Sequence, residues 1–227
     1  MKIATWNING VRARIENLVA WLKESAPDIV GLQEIKTMDE GFPRAEIEAL
    51  GYHVETHGQK GFNGVALLSR LRFDEVNRGL PGDDADDQAR FIEGVFSTRD
   101  AKGRDVALRV VSLYLPNGNP VSEERKFGFK LRWMERLERW TSERLLLEEP
   151  LVLAGDYNII PHPIDARYPE NWVNDALFQP ESRSTYERLQ SLGLTDAIRA
   201  VDDGPNVFTF WDYQAGAWQK NNGIRID

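Results

Sequence analysis

The chain has 227 residues, 41% of them hydrophobic, which supports one large core with no linker-like tract to divide it. It contains no cysteine, which excludes disulfides and thiolate metal sites. The formal net charge of −8 weighs mildly against a nucleic-acid partner, although a few cations on one face, or a bound divalent ion, reverse that locally.

Residues 1–20 carry Arg12, Arg14 and Glu16 in place of an unbroken apolar segment, so they do not read as a signal peptide, and a cytoplasmic protein is expected. Apolar runs such as Val65-Ala66-Leu67-Leu68 are far too short for a bilayer span, so no membrane partner is expected. Lys2-Ile3-Ala4-Thr5-Trp6 is a short strand that delivers Asn7 and Asn9. Val11, Ile15, Leu18, Val19 and Leu22 then recur at the spacing of an amphipathic helix, which Pro27 ends. Ile29-Val30-Gly31-Leu32 is a second strand, delivering Gln33 and Glu34. Further strands are predicted at 51–56, 64–69, 73–78, 91–97 and 105–115, the last β-rich and mostly apolar, as in a central strand. A long helix over 121–147 follows, with Phe127, Leu131, Met134 and Leu137 on one side. Leu151-Val152-Leu153-Ala154 is a buried strand running into Gly155-Asp156-Tyr157-Asn158. A Pro-rich loop and a helix over about 182–192 come next, and 223–227 reads as the start of another buried strand. Consecutive strands in the middle argue against a doubly wound sheet. The pattern predicts an α/β sandwich of two sheets packed face to face with helices outside, in a single domain over 1–227.

Three strands therefore end in side chains that accept hydrogen bonds, with few cations immediately beside them. Such clusters hold a hard metal ion or position a water. Glu34 reads as a metal ligand or as an ordinary strand-end carboxylate facing water. Asn7 and Asn9 read as its companions or as turn formers before Gly10. Strand alternation would put Asp156 and Asn158 on one side, where a carboxylate beside an amide suits a held and deprotonated water; the alternative is an Asx turn. Tyr114 and Asn117, around Leu115-Pro116, can donate to a phosphate oxygen or merely end a strand. Lys60 lies in a Gly-flanked loop. With Arg12, Arg14, Lys126, Lys130, Lys220 and Arg225 it can line a phosphate track or be a scattered surface cation. Phe208-Thr209-Phe210-Trp211-Asp212-Tyr213 is a core run or a set of stacking residues. His53, His57 and His162 have no metal-ligand spacing and read as structural or exposed.

Taken together, Trp6-Asn7-Ile8-Asn9-Gly10-Val11-Arg12-Ala13, Leu32-Gln33-Glu34-Ile35-Lys36, Gly58-Gln59-Lys60-Gly61-Phe62-Asn63-Gly64, Tyr114-Leu115-Pro116-Asn117-Gly118, Gly155-Asp156-Tyr157-Asn158 and Arg225-Ile226-Asp227 resemble the exonuclease III family. The resemblance runs in order along the whole chain. The Gly-Asp-x-Asn string is shared with wider relatives, but the first and third strings are specific. The resemblance implies a four-layer α/β sandwich of two mixed sheets with helices on both outer faces. It implies an Mg²⁺-dependent hydrolase, with Mn²⁺ as the alternative ion, that incises double-stranded DNA 5′ to abasic sites and trims 3′ ends as a monomer.

By matching position, Glu34 would be the principal metal ligand, supported by Asn7 and Asn9. Tyr114 and Asn117 would hold the scissile phosphate. Asp156, oriented with Asn158, would activate water or handle the leaving-group proton. Asp227 would support a histidine or the metal. Phe210, Trp211, Ile224 and Ile226 would form a small apolar pocket for a sugar without its base, and Arg12, Lys60, Lys126 and Arg225 would meet the backbone. Ile35 replaces the commoner Thr. The family also has a later Ser-Asp-His-x-Pro strand that the sequence does not include, so impaired activity is expected, since one lost electrostatic stabiliser costs about 10²–10³ in rate. Two other readings stay open: a metal-dependent phosphatase of the same fold acting on a small phosphoester, and a catalytically dead DNA-binding module.

Overall fold

The computed structural model describes residues 1–227. They form two compact units, Met1–Tyr114 with Arg144–Asp156, and Leu115–Glu143 with Tyr157–Asp227.

The first unit holds two four-stranded mixed sheets. In one, β1 (Ile3–Asn7) runs parallel to β2 (Ile29–Gln33), β2 is antiparallel to β4 (Val65–Ser69), and β3 (His53–His57) closes the edge. In the other, β5 (Glu75–Arg78), β6 (Phe91–Arg99) and β7 (Asp105–Tyr114) are antiparallel, and β8 (Leu151–Asp156) lies parallel to β7. Strand alternation sorts the side chains into two cores. Val30, Leu32, Ala66 and Leu68 pack with Leu18 and Leu22 of helix α1 (Ile15–Ser25). Ile29, Val65 and Leu67 turn the other way and pack on Ile92, Phe96, Leu108 and Val110 of the second sheet. All of these side chains are at most 7% exposed, so each sheet face is dry. Helix α1 stops where expected: Ala26 is left-handed and caps back onto Leu22 O, since the α-region is crowded for a residue preceding proline. Helix α2 (Arg44–Glu48) is one short element that the sequence pattern did not suggest.

A polar seam crosses the apolar layer between the sheets. Gln33 Nε2 donates to Ser112 Oγ at 2.9 Å, and Ser112 Oγ donates to Leu32 O at 3.1 Å. Both side chains are fully buried. Gly31 allows the approach, because a Cβ there would sit 3.0 Å from Ser112. At the end of β8, Gly155 (φ +149) lies so close to Leu113 that a Cβ would meet its carbonyl oxygen. Only glycine fits immediately before Asp156.

The second unit is helix α3 (Glu124–Leu145, its last turn belonging to the first unit), helix α4 (Pro180–Ser191) and long loops. Pro180 sits at the first position of α4, where its missing N–H has no partner to lose. The strand expected over 223–227 is reduced to β10 (Gly223–Ile224), antiparallel to β9 (Phe210–Trp211). Ile160, Ala166, Leu177, Phe178, Ile224 and Ile226 form this unit's apolar cluster. No helix of the chain is long and apolar enough to cross a membrane.

Candidate active site

The ends of β1, β2 and β8 bring their polar residues together in the first unit. Asn7 Nδ2 donates to Glu34 Oε1 at 2.9 Å and to Asp156 Oδ2 at 2.8 Å. One amide therefore bridges two carboxylates from strands that are distant in sequence. The Asn9 N–H donates to Asn7 Oδ1 at 3.1 Å, which fixes the way the amide faces. The loops after β1 and β2 need left-handed residues: Asn9 (φ +46), Gly10 (φ +99), Glu34 (φ +51) and Lys36 (φ +53). That conformation is costly for Glu and Lys, and strain of this kind gathers at functional sites.

Cations stand closer than the sequence suggested. Lys36 Nζ lies 2.8 Å from Glu34 Oε2 and donates to Asn9 Oδ1 at 2.5 Å. Asn9 thus reaches the carboxylates through Lys36. Arg90 lies over the Tyr114 ring, 4.9 Å from its centroid, and donates to Tyr114 O at 3.2 Å. Burial alone would raise the Glu34 carboxyl, but hydrogen bonds from Lys36, Asn7 and Tyr114, with the Lys36 charge, hold it below its usual range. The Tyr114 phenol is pushed up, first by burial and then by the Glu34 and Asp156 carboxylates. It therefore stays a hydroxyl donor across the physiological range. Glu34 is the charged, oxygen-bearing end of this group, and its side chain is 20% exposed.

The donor set fits a hard divalent ion. No group of three His, Cys, Asp or Glu gathers into a ready cage. Mg²⁺ does not need one, since it is commonly held by one or two carboxylates, with waters and phosphate oxygens completing the shell. Glu34 and Asp156 bring two carboxylates together, and the Lys36 and Arg90 cations beside them offset that charge.

In the second unit, Asn158 departs from the expected placement. It is not carried by β8, which ends at Asp156, and its φ is +47. Alternation therefore does not pair it with Asp156. Its Nδ2 donates to Leu115 O at 2.8 Å, and its Oδ1 accepts from Asn117 Nδ2 at 3.3 Å. Asn117 is exposed and Asn158 buried.

Two residues of the expected phosphate track, Lys130 and Arg225, are buried on other partners. Lys130 is fully buried and donates to loop carbonyls. Arg225 is 4% exposed and forks onto Asp165 at 2.6 and 3.2 Å and Asp196 at 2.9 Å. Two carboxylates therefore neutralise this guanidinium, and its burial keeps the remaining N–H groups from a phosphate at the surface. Lys126 is exposed and lies 3.4 Å from Glu123. Arg12 and Lys60 are exposed, as a phosphate contact requires. Lys220 is exposed and donates to Ala215 O. Ile224 and Ile226 belong to the apolar cluster, 2% and 6% exposed, so only a few of their atoms reach the surface. Phe210 is exposed, and Trp211 meets Trp218 edge to face at 4.7 Å, with Trp218 66% and Tyr213 74% exposed. Asp227 is half-buried, and its N–H donates to Thr209 Oγ1 at 3.1 Å. His162 caps a 3₁₀ turn, a structural role as expected. Lys36 and Arg90 are the site residues that the motifs underplayed. Their sequence mark is only adjacency to a strand end.

Residues 4–227 match the Endonuclease/Exonuclease/phosphatase family, and the chain belongs to that family. Over its whole length it is 37% identical to exodeoxyribonuclease III of Haemophilus influenzae and 31% to an exodeoxyribonuclease of Bacillus subtilis, covering 86% of each. Among solved structures, the 3′-5′ exonuclease NExo from Neisseria meningitidis shares 34% identity and a TM-score of 0.93 over all of this chain and 85% of that one. An AP endonuclease from Archaeoglobus fulgidus shares 34% identity at a TM-score of 0.91 over all of this chain and 84% of that one.

Proposed function

We propose that this chain is a DNA-repair nuclease that hydrolyses phosphodiesters 5′ to abasic sites and at 3′ ends, with Mg²⁺ as its cofactor. The observation that carries the proposal is the pair of carboxylates, Glu34 and Asp156, bridged by the single Asn7 amide. Family membership and relatives named as exodeoxyribonucleases and AP endonucleases support it. A structure of the related 3′ phosphatase NExo from Neisseria bound to a product DNA hairpin supports DNA as the polymer.

In this reading Glu34 and the Asn7–Asn9 pair hold the ion. Bound there, the ion would neutralise charge on the phosphate and the departing 3′ oxygen. Asp156 takes a proton from the attacking water. The new phosphorus–oxygen bond forms as the bond to the 3′ oxygen breaks, and that oxygen takes a proton from solvent, leaving a 3′ hydroxyl and a 5′ phosphate. Tyr114, kept protonated, donates to a phosphate oxygen, and Asn117 and Asn158 orient the phosphate. Phe210 and Trp211 contact the sugar of the abasic nucleotide, and Arg12 and Lys60 meet the backbone.

The test is a substrate panel. With Mg²⁺, a duplex carrying one abasic site should be nicked on its 5′ side and inositol phosphates left intact, and EDTA should stop the cutting. Hydrolysis of the small phosphoesters alone would instead favour the phosphatase reading.

A further inference from the structure

Lys130 is the most unusual charge in the second unit. Its side chain is fully buried, although lysine is almost never so unless its charge is satisfied. The ammonium has three donors and no acceptor. It donates to Asn158 O at 2.6 Å, Asn117 O at 3.0 Å and Ala176 O at 3.4 Å. Two of these carbonyls belong to the asparagines assigned above to the phosphate, and those asparagines also bond to each other side chain to side chain. The stem is confined as well. Gly118 (φ +88) lies so close that a Cβ there would meet Lys130 Cδ at 2.7 Å.

A hydrophobic side chain of the same length would fill this space at a far smaller desolvation cost. What the ammonium adds is one donor group shared by the backbone carbonyls of both loops, beside the side-chain bonds that Asn158 makes to Asn117 and to Leu115 O. Its neighbours on α3 bear ordinary roles: Phe127, Trp133, Met134 and Leu137 are buried apolar residues.

We propose that Lys130 is a positioning residue: its buried ammonium clamps the loops of Asn117 and Asn158 so that both amides are set for the scissile phosphate. The inference rests on the proposed nuclease reading. Losing the clamp should affect the transition state more than ground-state binding, since displacing positioned groups by about 1 Å can cost on the order of 10²-fold. Purely structural support would instead be lost as thermal stability, with turnover of the folded fraction unchanged.

The experiment is steady-state cleavage of an abasic duplex with Mg²⁺ by the wild type, Lys130→Met, Lys130→Arg and Asn158→Ala, each held well below its own unfolding midpoint. Lys130→Met should keep KM near the wild-type value and lower kcat by about tenfold to a hundredfold. Lys130→Arg, which keeps donors and charge, should recover part of that loss. A folded Lys130→Met with wild-type kcat, alongside an impaired Asn158→Ala, would overturn the clamp and leave the nuclease reading standing. Wild-type turnover in Asn158→Ala would overturn the assignment of that asparagine, and this inference with it. Should Lys130→Met not accumulate as folded protein, the wild type still decides. Nitrogen-15 NMR should show a slowly exchanging Lys130 ammonium, and exchange as fast as that of surface lysines would overturn the clamp.

Discussion

Two groups of carboxylates and cations, one in each unit, look alike in sequence and differ in what surrounds them. In the first, Glu34 and Asp156 share one amide and stand beside Lys36 and Arg90, and Glu34 keeps part of its surface in water. In the second, Asp165 is fully buried and accepts from both Arg199 and Arg225, while Asp196 accepts from Arg225 at 2.9 Å and from the Tyr186 hydroxyl at 3.1 Å. The buried group matches its charges internally. In the strand-end group Glu34 keeps 20% of its side-chain surface exposed at the sheet edge. Full burial holds loops together, whereas a carboxylate pair with one partly exposed member can take up a cation and a substrate.

Variants can break this comparison. The largest effect is expected at Asp156→Asn, which removes the proposed base and should lower kcat on abasic DNA by about 10²–10⁴-fold, measured by single-turnover cleavage, with little change in the melting curve. Arg225→Met should do the reverse. It leaves Asp165 and Asp196 short of a partner, and breaking a buried pair costs about 3–5 kcal/mol, read by denaturant unfolding. Equal effects of both variants on turnover in folded protein would erase the distinction.

Much of the strand-end group was legible in the sequence. Apolar runs ending in Asn7, Glu34 and Asp156 announce both the strands and the sheet edge they share. The exposed Lys60 also sits where a loop is expected. Arg225 and Lys130 misled because a charge is assumed to seek water, and their partners, Asp165 and the carbonyls of residues 117, 158 and 176, are remote in sequence. Asn158 misled because alternation was extended past the last residue of β8 into a left-handed turn. Lys36 stands two residues from Glu34, yet only the left-handed backbone at both positions turns its amine back onto the carboxylate.

Smaller effects sharpen the account. Tyr114→Phe removes one donor held protonated beside the carboxylates. It should cost about tenfold in kcat/KM, within the range for one hydrogen bond to a charged group, measured on the same duplex. The smallest effect concerns pH. Because Glu34 is held below its unfolded value near 4.5, its contribution to stability is present above that pH and is lost as pH falls through the lower folded value. Metal-free wild type should therefore lose stability below about pH 4.5 relative to Glu34→Gln, which cannot titrate there, and parallel melting temperatures would refute the assignment.

The most direct measurement is the rate of abasic-duplex cleavage against Mg²⁺ concentration for wild type and Glu34→Gln. Glu34→Gln should need much more Mg²⁺ and stay slower by about 10²-fold or more at saturation. Superimposable curves, or cutting that persists in EDTA, would contradict it.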